Sequence, residues 1–124
     1  MPRKISNKGL RKKLDDLIRV KVRKRDKDTC QWCGKRHLKG IDSQVSHVIP
    51  KGRCTYLRWD MQNVKLLCMY CHIEKWHRRG LGRKWFDEKF PERAKYVDKH
   101  QRKLVKARQF MEETLERLNE EGNH

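Results

Sequence analysis

Two Cys-x2-Cys pairs, Cys30–Cys33 and Cys68–Cys71, constrain this chain more than any other feature. Two thiolates three positions apart in a turn converge on one tetrahedral ion, and two such pairs fill all four positions. Gly34 follows the first pair, where a tight knuckle calls for a backbone without Cβ. The spacing predicts a structural zinc site with no position left open for chemistry. The alternatives are plain buried thiols or disulfides. The opening Met1-Pro2-Arg3-Lys4 lacks the apolar core of a secretion signal, which argues against disulfides and for a reducing, cytoplasmic setting. The composition explains the need for a staple. Of 124 residues only 35% are hydrophobic and 40% are charged, so the chain reads as a single domain, 1–124, with a small core. Cys54 is left over and reads as a small half-buried residue or a spare thiol.

The formal net charge is +17, which points to a polyanionic partner, most simply nucleic acid. The charge is uneven. Residues 1–29 carry +8, 30–79 carry +7, 80–108 carry +6, and 109–124 reverse to −4. Phosphate contacts belong to the basic body. The acidic tip is repelled by DNA, or pairs with a basic segment of its own or another chain. No apolar run is long enough for a membrane span.

Residues 6–26 read as a helix within a basic N-terminal segment, 6–29. Ser6 and Asn7 are N-cap types, and Leu10, Leu14, Leu17 and Ile18 form one apolar face. Val20 and Val22 alternate with charges, so an extended end is the competing reading. Residues 30–80 form the core segment. A tight turn at 30–37 precedes a short β-type run, 43–49, ended by Pro50 and Gly52. A basic loop at 51–63 leads to a second apolar run, Val64-Lys65-Leu66-Leu67. A helix then starts near Cys68–Cys71 and ends before Gly80. Residues 81–124 form a helical extension. Pro91 suits a first helical turn. Asp98 and Gln101 resemble a capping box for a helix over 98–121, roughly 36 Å long. Leu104, Met111, Leu115 and Leu118 give that helix an a/d-like stripe, broken at Arg108. The stripe packs on its own domain or serves as a homodimer seam.

Between and beyond the cysteine pairs lie Ser46-His47-Val48-Ile49-Pro50, then Arg58-Trp59-Asp60-Met61-Gln62-Asn63, then Cys68-x2-Cys71-His72. With Val22-Arg23-Lys24-Arg25-Asp26 ahead of Cys30, this arrangement resembles the HNH endonucleases of the ββα-metal class over about residues 20–80. Within that class it is most similar to phage recombination nucleases of the NinG type, although His72 stands where that group has Asn. The resemblance implies an α+β fold with a small ββα-metal core, stapled by the zinc knuckle and flanked by helices. It implies a metal-dependent DNA endonuclease that hydrolyses or nicks phosphodiesters, including branched recombination DNA. It gives His47 the role of general base and His72 that of ligand to a catalytic divalent cation (Mg2+, Mn2+, Ni2+ or Zn2+). Asn63 would pin the loop that orients the base. The residue types suit those roles. Imidazole changes charge near neutrality, and an Asn amide both donates and accepts.

One departure stands out. The commonest pattern has Asp before the base histidine as second metal ligand, and here that residue is Ser46. Asp60 and His77 are the other candidates. His77 lies five residues after His72, about 140° away around an α-helix. Arg58 is the candidate transition-state clamp, because a guanidinium grips phosphate with two parallel bonds. Lys51 and Arg53 in the loop, with Lys75, Arg78 and Arg79 at the end of the site helix, are the DNA-backbone candidates. No element reads as a base-reading helix, so contacts to phosphate are expected to dominate. Trp59 and Trp76 read as core aromatics, His37 and His100 as surface residues. The alternative to a nuclease is a non-catalytic, zinc-stapled DNA-binding module, which Ser46 favours.

Overall fold

The computed structural model describes residues 4–121. It is helix-rich with one two-stranded sheet, an α+β arrangement. Helix α1 spans Asn7–Arg25. Ser6 caps it by accepting from the Gly9 N–H at 2.9 Å. Leu10, Leu14, Ile18 and Val22 recur every four residues and are buried, and that stripe carries the helix through the region that also read as extended. Arg23, Lys24 and Arg25 in the last turn complement the helix dipole.

After α1 the chain reverses through Lys27 and Asp28, both at positive φ. Cys30 to Gly34 form the first knuckle, where Gly34 sits at φ 80° and donates to the Cys30 carbonyl at 2.9 Å. Strand β1 (Gln44–His47) pairs antiparallel with β2 (Val64–Leu67), with Gln44 opposite Leu67 and His47 opposite Val64. The basic connection is not all loop. It holds a short helix α2 (Thr55–Arg58) and a single 3-10 turn at Met61–Asn63. Helix α3 (Tyr70–Arg78) winds with π pitch.

The expected helix over 98–121 is two helices. Helix α4 (Gly82–Lys89) leads to α5 (Pro91–His100), which has Pro at its first turn, and α6 (Ala107–Glu121) follows a break. Asp98 caps nothing: its carboxylate pairs with Arg83 at 2.7 Å, and its carbonyl accepts from the Gln101 side chain at 3.3 Å. Leu104, read as part of the apolar stripe, is 93% exposed. The break lets α6 fold back on α1, burying Met111, Thr114 and Leu118 inside this chain. The acidic end of α6 meets α1 through Lys21 and Glu121, 3.7 Å apart.

Two apolar clusters result. One joins the buried face of α1 to Val64, Leu66, Trp59, Met111 and Leu118, and includes Cys30, Cys68 and Cys71. The other gathers Val48, Ile49, Leu57, Phe86 and Val97. Trp76 and Trp85 pack against both. Gly82 makes that joint possible: a Cβ there would lie 2.1 Å from the Trp76 ring. Among the described residues no helix is long and apolar enough to cross a membrane.

Candidate functional site

The two knuckles bring the four thiols together. An ion bound by four thiolates at about 2.3 Å needs sulfur–sulfur separations of about 3.8 Å. Cys33 Sγ lies 3.8 Å from Cys68 Sγ, and all four sulfurs lie within 4.8 Å of one another. Backbone N–H groups support the cluster from inside each pair, Cys33 N–H to Cys30 Sγ and Cys71 N–H to Cys68 Sγ. Three of the four cysteines are buried. The donor set fits a metal ion such as zinc. Cys54 stands apart, buried, with its thiol against the carbonyls of His100 and Lys103. Those two contacts lie at the break between α5 and α6. His100 is not a free surface group either, since its ring stacks on Tyr56 and Tyr96.

A cleft of about 860 Å3 opens beside the sheet. His47, His72 and His77 line it, with Gln44, Lys51 and Asp15. His47 ends β1, and its Nε2 lies 2.9 Å from the Arg58 carbonyl. A carbonyl only accepts, so Nε2 carries the proton and Nδ1 keeps a lone pair. Burial pushes His47 down to about 4. The Arg58 carbonyl opposes that shift, while the charges of Lys65 and Lys51 add to it.

Asn63 is fully buried and works on the opposite side of the loop. Its Oδ1 accepts from Ile49 N–H at 2.8 Å, and its Nδ2 donates to the carbonyls of Ile49 and Leu57 at 3.0 and 3.1 Å. It ties the end of β1 to α2 with every polar atom used.

His72 and His77 meet because α3 is a π-helix. Its hydrogen bonds run from residue i to i−5, as in Arg79 N–H to Glu74 O at 2.8 Å. Residues five apart then share a face, which the 140° offset of an α-helix would forbid. The two Nε2 atoms lie 3.1 Å apart. That contact is a hydrogen bond between the rings, and its length is also close to the roughly 3.3 Å that two nitrogens about 2.0–2.1 Å from one tetrahedral ion would show. Gln44 fixes the tautomer. Its amide N–H donates to Ile41 O at 2.7 Å, so its oxygen faces His72 Nδ1, also at 2.7 Å. His72 therefore donates from Nδ1 and keeps its Nε2 lone pair, as a metal-binding imidazole with an outer partner does. Burial pushes His72 to about 4, with smaller contributions from charge on His77, Lys65 and His47.

The other candidate ligands lie elsewhere. Asp60 uses one oxygen on Gln62 N–H at 2.9 Å and the other on the Tyr96 hydroxyl at 2.6 Å. Ser46 points to the opposite face of β1 from His47, is fully buried, and hydrogen-bonds to neither imidazole. Among the described residues no third His, Cys or carboxylate joins His72 and His77 at ligand distance.

The basic candidates are redistributed as well. The Arg58 guanidinium, expected to grip phosphate, is held by both oxygens of Asp15 at 3.2 and 2.7 Å. Asp15 also accepts from the Trp59 indole at 2.8 Å. Burial raises its carboxyl pKa, but the bonds from Arg58 and Trp59 and the charges of Arg58 and Lys51 outweigh that and hold it below the usual range. Lys75 lies over the Trp32 ring, 4.3 Å from its centroid, and Arg78 and Arg79 share Glu74. Lys51 and Arg53 stay exposed, and Lys51 lines the cleft. Trp59 is buried and Trp76 half-buried, His37 is exposed. Sequence reasoning missed Asp15 and Gln44, which act through partners far along the chain. It also missed Arg19 and Arg23 on the cleft wall. Comparison with protein-family models, curated proteins and solved structures finds no match for this chain.

Proposed function

We propose that this chain is a metal-dependent DNA endonuclease of the HNH kind, with His47 as general base and His72 and His77 as ligands to a divalent cation. One observation carries the reading. A neutral imidazole with its proton pinned on Nε2 shares a cleft with a second imidazole pair whose nitrogens fit one ion. His47 Nδ1 takes a proton from water as the water oxygen bonds to phosphorus. The bond from phosphorus to the leaving sugar oxygen breaks, and solvent protonates that oxygen. The cation would supply charge stabilisation on the phosphate and leaving oxygens. Asn63 and the Arg58 carbonyl keep His47 oriented, and Gln44 keeps His72 in its metal-binding tautomer. The four-cysteine zinc site holds the two ends of the hairpin together and takes no part in the chemistry.

The second reading is a zinc-stapled DNA-binding module without cleavage. The absence of a carboxylate beside His72 and His77 among the described residues favours it. Plasmid relaxation with Mg2+, Mn2+ or Ni2+ separates the two. Wild type should nick, His47→Ala should lose at least about a hundredfold in rate, and both should retard DNA equally. Retardation without nicking under any of the metals would leave only the binding module.

A further inference from the structure

The cleft has two walls, and only one belongs to the hairpin. The other is α1, which contributes Asp15, Ile18, Arg19 and Arg23. Asp15, Arg19 and Arg23 are spaced by four, so they fall on one face of the helix. Asp15 is neutralised by Arg58 and spends its remaining capacity on Trp59. Arg19 is exposed and has no carboxylate partner among the described residues. Arg23 pairs with Asp28 through Nε at 3.0 Å, which leaves its terminal nitrogens for another acceptor. Lys51 lines the same cleft from the loop after β1. The wall facing His47 is thus a cationic row, with its one carboxylate already occupied.

We propose that α1 is the substrate-positioning wall of the site. Arg19 and Arg23 would hold successive phosphates of a DNA strand lying along the helix, with Lys51 on a third phosphate beside His47. The inference rests on the nuclease reading and deepens it. It gives the strand's backbone a path through the cleft, along an element outside the hairpin. Arg19 and Arg23 are one helical turn apart, about 6 Å along the axis, and both side chains are long enough to reach adjacent phosphates. Lys75 lies over Trp32, and Arg78 and Arg79 share Glu74, so α1 adds a second set of backbone contacts to those at the end of α3.

The test is the salt dependence of binding. Fluorescence anisotropy of a labelled duplex and of its single strand is measured in a His47→Ala background without divalent cation, so that cleavage does not intervene. Each phosphate contact contributes about −0.9 (duplex) or −0.7 (single strand) to the slope of log K against log salt. Arg19→Gln should flatten the slope by about one contact, and Arg19→Gln with Arg23→Gln by about two. Lys24→Gln, half a turn away from Asp15 around α1, should leave the slope alone. Arg19→Gln is the deciding variant, since its loss breaks no ion pair. If the His47→Ala parent binds but its slope is unchanged by Arg19→Gln, or flattens equally with Lys24→Gln, the α1 wall is wrong and the nuclease reading survives. If wild type retards no DNA, both fail together.

Discussion

His47 is held at Nε2 by a backbone carbonyl whose position depends on a residue 43 places away in sequence. Asp15 grips the Arg58 guanidinium and the Trp59 indole, and the Arg58 carbonyl in turn grips the imidazole. In the sequence, Asp15 is one more charge on a basic helix, and nothing local marks it as the anchor of this turn. His47 and Asn63 stood out in the sequence because, with His72 and the two cysteine pairs, they form the pattern that resembles the HNH endonucleases. The geometry makes a direct prediction. In the free protein His47 should titrate at about 4, against roughly 6.5 for an unhindered imidazole. The folded state then binds fewer protons than the unfolded one between those values. His47 therefore costs stability as pH falls from about 6.5 to 4 and costs none above that window. A bound phosphate favours the charged imidazole and should move the midpoint up. NMR titration of the ring protons checks both steps. A free-protein midpoint near 6.5 would show that burial does not govern this histidine.

The β1–β2 hairpin contains a residue that local patterning misreads. Lys65 lies in β2 opposite Ser46, among apolar neighbours, and is fully buried. Its Nζ finds no hydrogen-bond partner and sits 3.2 Å from the centroid of the Trp76 ring. Burial, with the nearby charges of Arg93 and Arg83, pushes its pKa well below the ordinary lysine range. A cation–π contact offsets only part of the cost of burying an amine. Lys65→Met keeps the length and removes the polar head. Urea unfolding should show a gain of about 1–3 kcal/mol at neutral pH. The wild type binds fewer protons folded than unfolded up to about pH 10.4, so its stability rises with pH and the gain from methionine shrinks. A loss of stability on substitution would mean that the amine has a polar partner, such as a buried water. Periodicity located both strands to within a residue or two, because apolar alternation is local. It could not locate the π pitch of α3, because no local pattern of residues marks it. His77 could be named beside His72 in the sequence, but α-helical spacing set it about 140° away, and only the π pitch brings the two rings together.

At the scale of the whole chain, the cysteine spacing and the charge imbalance could be read directly, and the C-terminal path could not. Residues 98–121 contain neither Pro nor Gly, so no local signal interrupts the helix. The break follows from tertiary contacts: the His100 and Lys103 carbonyls lie over the Cys54 thiol, and α6 turns back to cover α1. That return closes the main core around Cys30, Cys68 and Cys71, which sit in one apolar cluster with Leu10, Leu14, Ile18 and Leu118. The four-cysteine cluster is therefore part of the core, and it joins the segment after α1 to the start of α3. Metal that binds only the folded state stabilises by mass action, about 4 kcal/mol at a thousandfold excess over Kd. Without it, the small apolar content alone must hold the same packing. Reduced protein should carry about one tightly held zinc per chain by elemental analysis. A strong chelator should lower the thermal midpoint by more than 10 °C, and returned zinc should restore it. Cys71→Ser should behave like the chelated wild type and gain nothing from zinc. A folded, reduced chain that contains no metal and melts at the same temperature with or without chelator would remove the staple, and with it the reason the knuckles meet.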